Sequence, residues 1–228
     1  MDGLILLMAG VGTYSLYSLV CQRQRIELAT QSLGVAAHLV DVVGHVIRKV
    51  LGGLILGGGG YLFLVWQGGR PADFGFVLPT DSWWLLWVSG GAAVVLPVVI
   101  KSASGEEMQR NYPELRNRPW TPGVKWLTAF SWAVFLLGYE LFFRGFMTYG
   151  LVAEWGAPLG LTVTVIFYAV VHWPKGMRET IGCIPMGIFF GCQALYGGGF
   201  LGPWLLHLAI AVVGENAAVR AAAQKMEQ

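Results

Sequence analysis

Seven stretches of this chain, at 3–21, 51–67, 82–100, 126–149, 157–173, 181–196 and 200–213, are apolar over most of their length. A run of about 20 such residues is what a helix needs to cross the hydrocarbon of a bilayer. This pattern constrains the fold more than any motif, because a backbone in lipid must satisfy its own polar groups and a helix does so within each pass. The composition agrees: of 228 residues, 55% are hydrophobic and only 12% charged, with a mean hydropathy of +0.59, too apolar for an ordinary soluble domain. The expected fold is all-α: a polytopic membrane helix bundle of about seven transmembrane helices plus an interfacial amphipathic helix.

Lysine and arginine test this assignment, since they gather on the cytoplasmic loops of membrane proteins. All of the 15 basic residues except Arg70 and Arg144 fall in the loops after the first, third and fifth spans or in the C-terminal tail. The alternation places the N-terminus outside and the C-terminus in the cytoplasm, as expected for an integral protein of a bacterial inner membrane. Trp66, Trp83, Trp84, Trp120, Trp126, Trp155 and Trp173 lie at or near the span ends, where amphipathic rings anchor at the interface. The chain then divides into residues 1–125, with three spans and an amphipathic helix at 33–50; a core of four spans at 126–213; and a cytoplasmic tail at 214–228. Within 33–50, His38, Asp41, His45 and Arg48 follow one another at helical offsets and form one stripe. Although such side chains ligate metals, the stripe is read as the solvated polar face of a helix lying in the interface.

Several function classes recede. Cys21, Cys183 and Cys192 have neither metal spacing nor a paired framework and read as packing residues. A net charge of +2, with basic residues that follow topology rather than forming a patch, argues against nucleic acid as a partner. The glycine runs at 57–60 and 197–199 lack the Lys-Ser/Thr ending of a phosphate loop, and close helix packing or a tight turn explains them better.

The candidate site consists of ionisable groups inside the spans. Glu140 and Arg144 in the fourth span are four residues apart, hence stacked on one helix face. Each costs about 2.5–3.5 kcal/mol at the bilayer centre on insertion scales, so both should face the bundle interior or a water-filled cavity. His172 lies near the cytoplasmic end of the fifth span, one turn after Tyr168, and His207 lies in the seventh. A hairpin closed near 154–156 brings Glu140 and His172 to similar depth. A carboxylate beside an imidazole can draw a proton from water for attack on a peptide carbonyl, with His207 donating to the developing oxyanion. The same groups admit a bland reading, as a self-neutralising pair and core histidines that lock helices together.

Glu140-x-x-x-Arg144-Gly145, then Tyr168-x-x-x-His172, then Gly191 and the glycine-rich turn leading to His207 together resemble the three ordered motifs of the CPBP (CAAX protease and bacteriocin-processing, or Abi) intramembrane proteases. The resemblance covers about 126–213. It implies a helical bundle with a cavity facing the cytoplasm and a glutamate-dependent, metal-free peptidase that needs no cofactor. Glu140, His172 and His207 would be catalytic, with Arg144, Tyr139 and Tyr168 in support. The partners would be the lipid bilayer and a membrane-associated protein or peptide substrate. Two positions depart from the family pattern. The first of its two adjacent glutamates, the general base, is here Tyr139, and a phenol with an ordinary pKa near 10 is a poor base at neutral pH. The asparagine expected four residues after the last histidine is here Ala211, and Asn216 stands about half a turn away in azimuth. Three readings stay open: a variant protease using Glu140, His172 and His207; a catalytically impaired relative acting as a membrane scaffold, immunity or assembly factor; and a proton-coupled transporter or channel, for which intramembrane acids and histidines are also expected. A zinc site made of Glu140, His172 and His207 lacks the HExxH spacing and goes against the resemblance.

Overall fold

A computed structural model describes residues 2–77, 79, 82–116 and 118–226. Every regular element among them is helical. Asp2 caps α1 (Gly3–Val20), its carboxylate accepting from the Leu4 amide at 2.8 Å. α2 (Arg23–Ser32) packs on α3 (Val40–Gly53), which continues through a π-helical turn at Leu54–Gly58 into α4 (Gly59–Trp66). α5 (Trp83–Ser102) and the short α6 (Glu106–Asn111) precede α7 (Pro122–Glu140), which runs into a second π-helical stretch at Leu141–Tyr149 and then α8 (Gly150–Val170). α9 (Met177–Gly197) and α10 (Leu201–Met226) complete the bundle. Among the described residues, five helical runs are long and apolar enough to cross a membrane, one of them Pro122–Lys175. The segment expected to cross at 51–67 is also helical, within the unbroken run at 40–66.

The run Pro122–Lys175 is two antiparallel passes. Gly156, at φ 76° and ψ 161°, leaves helical geometry and reverses the chain, as glycine can without strain. A Cβ on Gly160 would meet the backbone of Leu151 and Val152, which is possible only if the chain has turned back. Ring pairs farther out keep the same register: Phe143 with Tyr168 at 5.3 Å between centroids, and Tyr139 with His172 at 6.2 Å. The hairpin expected at 154–156 is thus present, and it sets Tyr139 level with His172.

Helices α3–α4 and α7 cross at glycines. Gly138 lies so close to Gly53 that a Cβ there would strike the Gly53 carbonyl, and Gly57 faces the same Gly138 Cα. Gly60 lies under Phe146, and Gly10 of α1 under Met147. Small residues of this kind let helix backbones approach where lipid offers no hydrophobic drive to associate. The π-helical stretch of α7 occupies the centre of the bundle, with every residue from Phe142 to Thr148 buried among Leu6, Leu56, Leu64 and Leu151. A helix buried all round has no lipid-facing side. The glycines of 197–199 form a turn, with Gly198 and Gly199 at positive φ.

The N-terminus of α1, residues 68–77, the Gly156 reversal and the Gly198–Gly199 turn share one end: Gly3 abuts Trp155, Gly75 abuts Tyr149, and Gly199 abuts the Gly75 carbonyl. The opposite end holds α2, α6, residues 172–176 and the end of α10, joined by Asn111 donating to the Lys175 carbonyl at 2.5 Å, Gln109 to the Ala218 carbonyl at 3.0 Å and Lys225 to the Ser104 carbonyl at 2.9 Å. The basic loops all belong to this second end. Trp66, Trp83, Trp126 and Trp173 are exposed near helix ends, as interfacial anchors should be. The tail expected at 214–228 is, through residue 226, a continuation of α10; residues 227–228 lie outside the described residues.

The stripe on α3 does not behave as the solvated face expected of it. Asp41 pairs with Arg118 at 2.5 Å, while His45, Arg48 and Lys49 turn onto Glu114 of the segment after α6. His45 and Lys49 are buried. Lys49 lies 3.0 Å above the centre of the Trp132 ring, a cation–π contact. The cause is a counter-charge from far along the chain: Glu114 converts a polar stripe into a seam between α3 and the linker. Burial alone would push the Glu114 carboxyl up, but Lys49 and Arg48 beside it, with His45, hold it well below the usual carboxylate range.

Two predictions follow from this packing. Gly138→Leu should destabilise the detergent-solubilised protein by about 2 kcal/mol or more, whereas Gly58→Ala, whose Cβ meets nothing within 4 Å, should be neutral or gain up to about 1 kcal/mol; equilibrium unfolding in micelles compares them. Glu114→Gln leaves Lys49 buried without its partner and should cost about 3 kcal/mol at neutral pH. Because the folded carboxyl titrates low, its contribution is complete above the ordinary value of about 4.3 and disappears as pH falls through the depressed one. The gap between wild type and Glu114→Gln should therefore close on acidification below about pH 4.

Candidate active site

Glu140, at 0% exposure, closes α7 where the π-helical stretch begins. One carboxylate oxygen, Oε2, accepts from Arg144 Nε at 2.9 Å, and the other, Oε1, lies 2.5 Å from His207 Nδ1 of α10. Both oxygens of the buried acid therefore have partners, as a carboxylate in a dry interior requires. Arg144 is equally buried. Its Nη1 donates to the Gly187 carbonyl of α9 at 3.4 Å, and its guanidinium carbon stands 4.6 Å from the centre of the Tyr168 ring and 5.3 Å from that of Phe190. The Glu140–Arg144 pair expected from the sequence spacing is formed, and through it α7, α9 and α10 meet.

His172 occupies the turn after α8, with Nδ1 2.7 Å from the Tyr168 carbonyl one turn back. A carbonyl only accepts, so Nδ1 carries the proton and Nε2 a lone pair. The same logic applies to His207, whose Nδ1 faces a carboxylate and so donates, leaving Nε2 as an acceptor. Tyr139 packs beside both imidazoles, its ring centroid 6.2 Å from that of His172 and 5.7 Å from that of His207, nearly perpendicular to both. Phe135, Phe143 and Tyr168 enclose the same ring. The Tyr139 hydroxyl is buried and has no hydrogen-bond partner among the described residues.

The arrangement differs from the sequence expectation in its pairing. Glu140 engages His207, and among the described residues no hydrogen bond or ion pair joins it to His172. Adjacent residues on a helix diverge by about 100°, so the Glu140 carboxylate reaches His207 of α10 while the Tyr139 ring packs against both imidazoles. Tyr168 supports the site through its carbonyl and its ring. Ala211 packs against the aromatic core. Asn216 donates to the Val212 carbonyl of its own helix at 2.8 Å, so its amide is engaged locally rather than replacing the missing one.

Sequence reasoning overlooked two buried polar residues. Glu215, assigned to the tail, accepts from Trp132 Nε1 at 3.2 Å and from the Glu114 amide; an acid two turns after His207 on one apolar helix was the available signal. Gln193 of α9 is fully buried, with neither side-chain atom partnered, and nothing in its local sequence marks it. Among the described residues, no three His, Cys, Asp or Glu side chains stand close enough to share a metal ion. Next to the site, Pro174, Lys175, Gly176 and Arg178 line a groove of about 500 Å³ together with Glu106, Glu107 and Asn111, at the basic end of the bundle.

Compared with known proteins, residues 121–213 match the family model described as Rce1-like, type II CAAX prenyl endopeptidase Rce1-like. No curated protein and no solved structure gives a match. The matched segment runs from the start of α7 into α10 and contains Glu140, Arg144, His172 and His207. The resemblance drawn from the three motifs is borne out over that segment, where the chain is similar to the Rce1-like CAAX proteases.

Proposed function

We propose that this protein is an intramembrane endopeptidase that hydrolyses a peptide bond of a membrane-associated protein or peptide. The observation that carries this reading is the 2.5 Å contact between Glu140 Oε1 and His207 Nδ1 inside a protease-family core. A carboxylate on one ring nitrogen fixes the tautomer and supports positive charge on the ring, the relation that makes the other nitrogen an effective general base. Arg144 pairs with Glu140 and orients it. A water molecule donates one O–H to His207 Nε2 and the other to His172 Nε2, which turns its lone pair toward the scissile carbonyl. Its oxygen bonds to the carbonyl carbon as His207 takes the proton. The C–N bond then breaks, and His207 returns that proton to the departing nitrogen. Neither a metal nor a cofactor enters this scheme.

The basic end of the bundle faces the cytoplasm of a bacterial cell, with the N-terminus outside and the C-terminus inside, so substrate reaches the imidazoles from the cytoplasmic leaflet. His207 keeps 15% of its side chain accessible while Glu140 is sealed, which suits a base in contact with substrate and an orienting acid behind it. A second reading, in which the bundle acts as a scaffold, immunity or assembly factor, draws support from Ala211 at the position of the family's asparagine and from the complete pairing of Glu140.

Comparative proteomics of membranes with and without the active protein should reveal new chain termini that vanish in Glu140→Gln and His207→Ala. Each variant should lose about 10²- to 10⁴-fold in rate while folding normally. If both variants keep the full cellular phenotype and no terminus differs, the scaffold reading replaces this one.

A further inference from the structure

Acyl transfer requires hydrogen-bond donors aimed at the oxygen that gains charge as the tetrahedral species forms. The donors near this site can be enumerated. His172 directs its only ring N–H at the Tyr168 carbonyl, and His207 directs its own at Glu140. Each then presents a lone pair at Nε2, which suits a base, and the proton that His207 takes up there is committed to the departing nitrogen rather than to the oxyanion. Position 211, one turn after His207, holds an alanine and no donor. Arg144 has one unpartnered nitrogen, but its Nε is held by Glu140 and its Nη1 by the Gly187 carbonyl, which fix the guanidinium between those two acceptors. Gln193 is also unpartnered, but it lies against Gly202, about 7 Å along α10 from His207 at 1.5 Å per residue.

One donor remains. The Tyr139 hydroxyl is buried and unpartnered, on a ring whose centroid lies within 6.2 Å of both imidazoles and which Phe135, Phe143 and Tyr168 hold in place. A buried hydroxyl without a partner is rare enough in folded proteins to call for an explanation, and phenylalanine would fill the same volume without leaving a polar atom unsatisfied. A preorganised donor awaiting charge that develops only during reaction explains both facts.

We propose that Tyr139 is a catalytic residue of the hydrolysis, its phenol O–H donating to the carbonyl oxygen of the scissile bond as that oxygen becomes an oxyanion. The proposal rests on the endopeptidase reading. When the water oxygen bonds to the carbonyl carbon, the π pair moves onto oxygen, and the phenol stabilises that charge while keeping its own proton. When the charge returns and the C–N bond breaks, the hydrogen bond weakens and the hydroxyl is unpartnered again. Tyr139 thus supplies by a different side chain, from a different helix, what an amide at position 211 would have supplied.

Tyr139→Phe tests this in the full-length protein with a cleaved substrate peptide in detergent or vesicles. The expected result is a drop in kcat of about 10²- to 10³-fold with KM little changed, since an interaction made only in the transition state affects kcat and kcat/KM alike. At the same time the melting temperature should hold or rise, because the variant removes an unsatisfied polar atom and nothing else. Wild-type kcat in Tyr139→Phe, alongside an inactive Glu140→Gln, would overturn the role of Tyr139 while leaving the protease intact. A melting temperature that falls would also overturn it, by making the hydroxyl structural. A wild-type protein that cleaves nothing, indistinguishable from Glu140→Gln, would instead remove the endopeptidase reading on which the proposal stands.

Discussion

A carboxylate with no exposure, placed where three helices of a membrane bundle converge, is the constraint to which the rest of the core answers. Unpaired, Glu140 would cost more than any local contact could offset. Arg144 answers it within the same helix and His207 answers it from α10. The guanidinium needs neighbours in turn: the Gly187 carbonyl of α9 and the faces of Tyr168 and Phe190. Pairing one buried acid thereby specifies how α7, α8, α9 and α10 sit against one another. Such specification is the better-attested use of buried ionic groups, whose net contribution to stability is small.

The pairing works only if the helix carrying it lies at the centre. Glycines achieve this. Gly53 and Gly138 let α3 and α7 approach backbone to backbone, while Gly10 and Gly60 admit Met147 and Phe146 of the π-helical stretch. A π-helical segment is uncommon and tends to mark functional positions. Here it begins at the residue after Glu140. Arg144 and the phenylalanines at 142, 143 and 146 are all completely enclosed, so charge and aromatic faces share one compartment.

Much of this was legible in the sequence, for identifiable reasons. Apolar length and basic-loop alternation report on the lipid and its two faces, which act on each segment separately, so the helical passes, the shared end of the basic loops and the reversal at Gly156 could be found one span at a time. The Glu140–Arg144 pair was legible because four residues is one helical turn. What escaped depends on partners distant in the chain. The polar stripe of α3 looks solvated until Glu114 arrives from the linker to bury Lys49 and His45. Hairpin geometry brings Glu140 level with His172 alone, and only the azimuth of α10 against the end of α7 decides for His207. The π-helical winding leaves no periodic trace in a stretch that is apolar on every side.

Tyrosine at position 139, where the resembling family carries an acid, also follows from charge. The core around Glu140 contains one guanidinium, and it is already divided between the Glu140 carboxylate and the Gly187 carbonyl. A second carboxylate on the adjacent residue would point away from Arg144, about 100° around the helix, into a wall made of Phe135, Phe143 and Tyr168. Burial among those rings, with the guanidinium already divided, would press such an acid to protonate. A phenol suits the same wall: its ring joins the aromatic packing, and its hydroxyl brings a donor without a charge. The acid that remains, Glu140, is the one with a counter-ion within reach, and orienting His207 is the task its position allows.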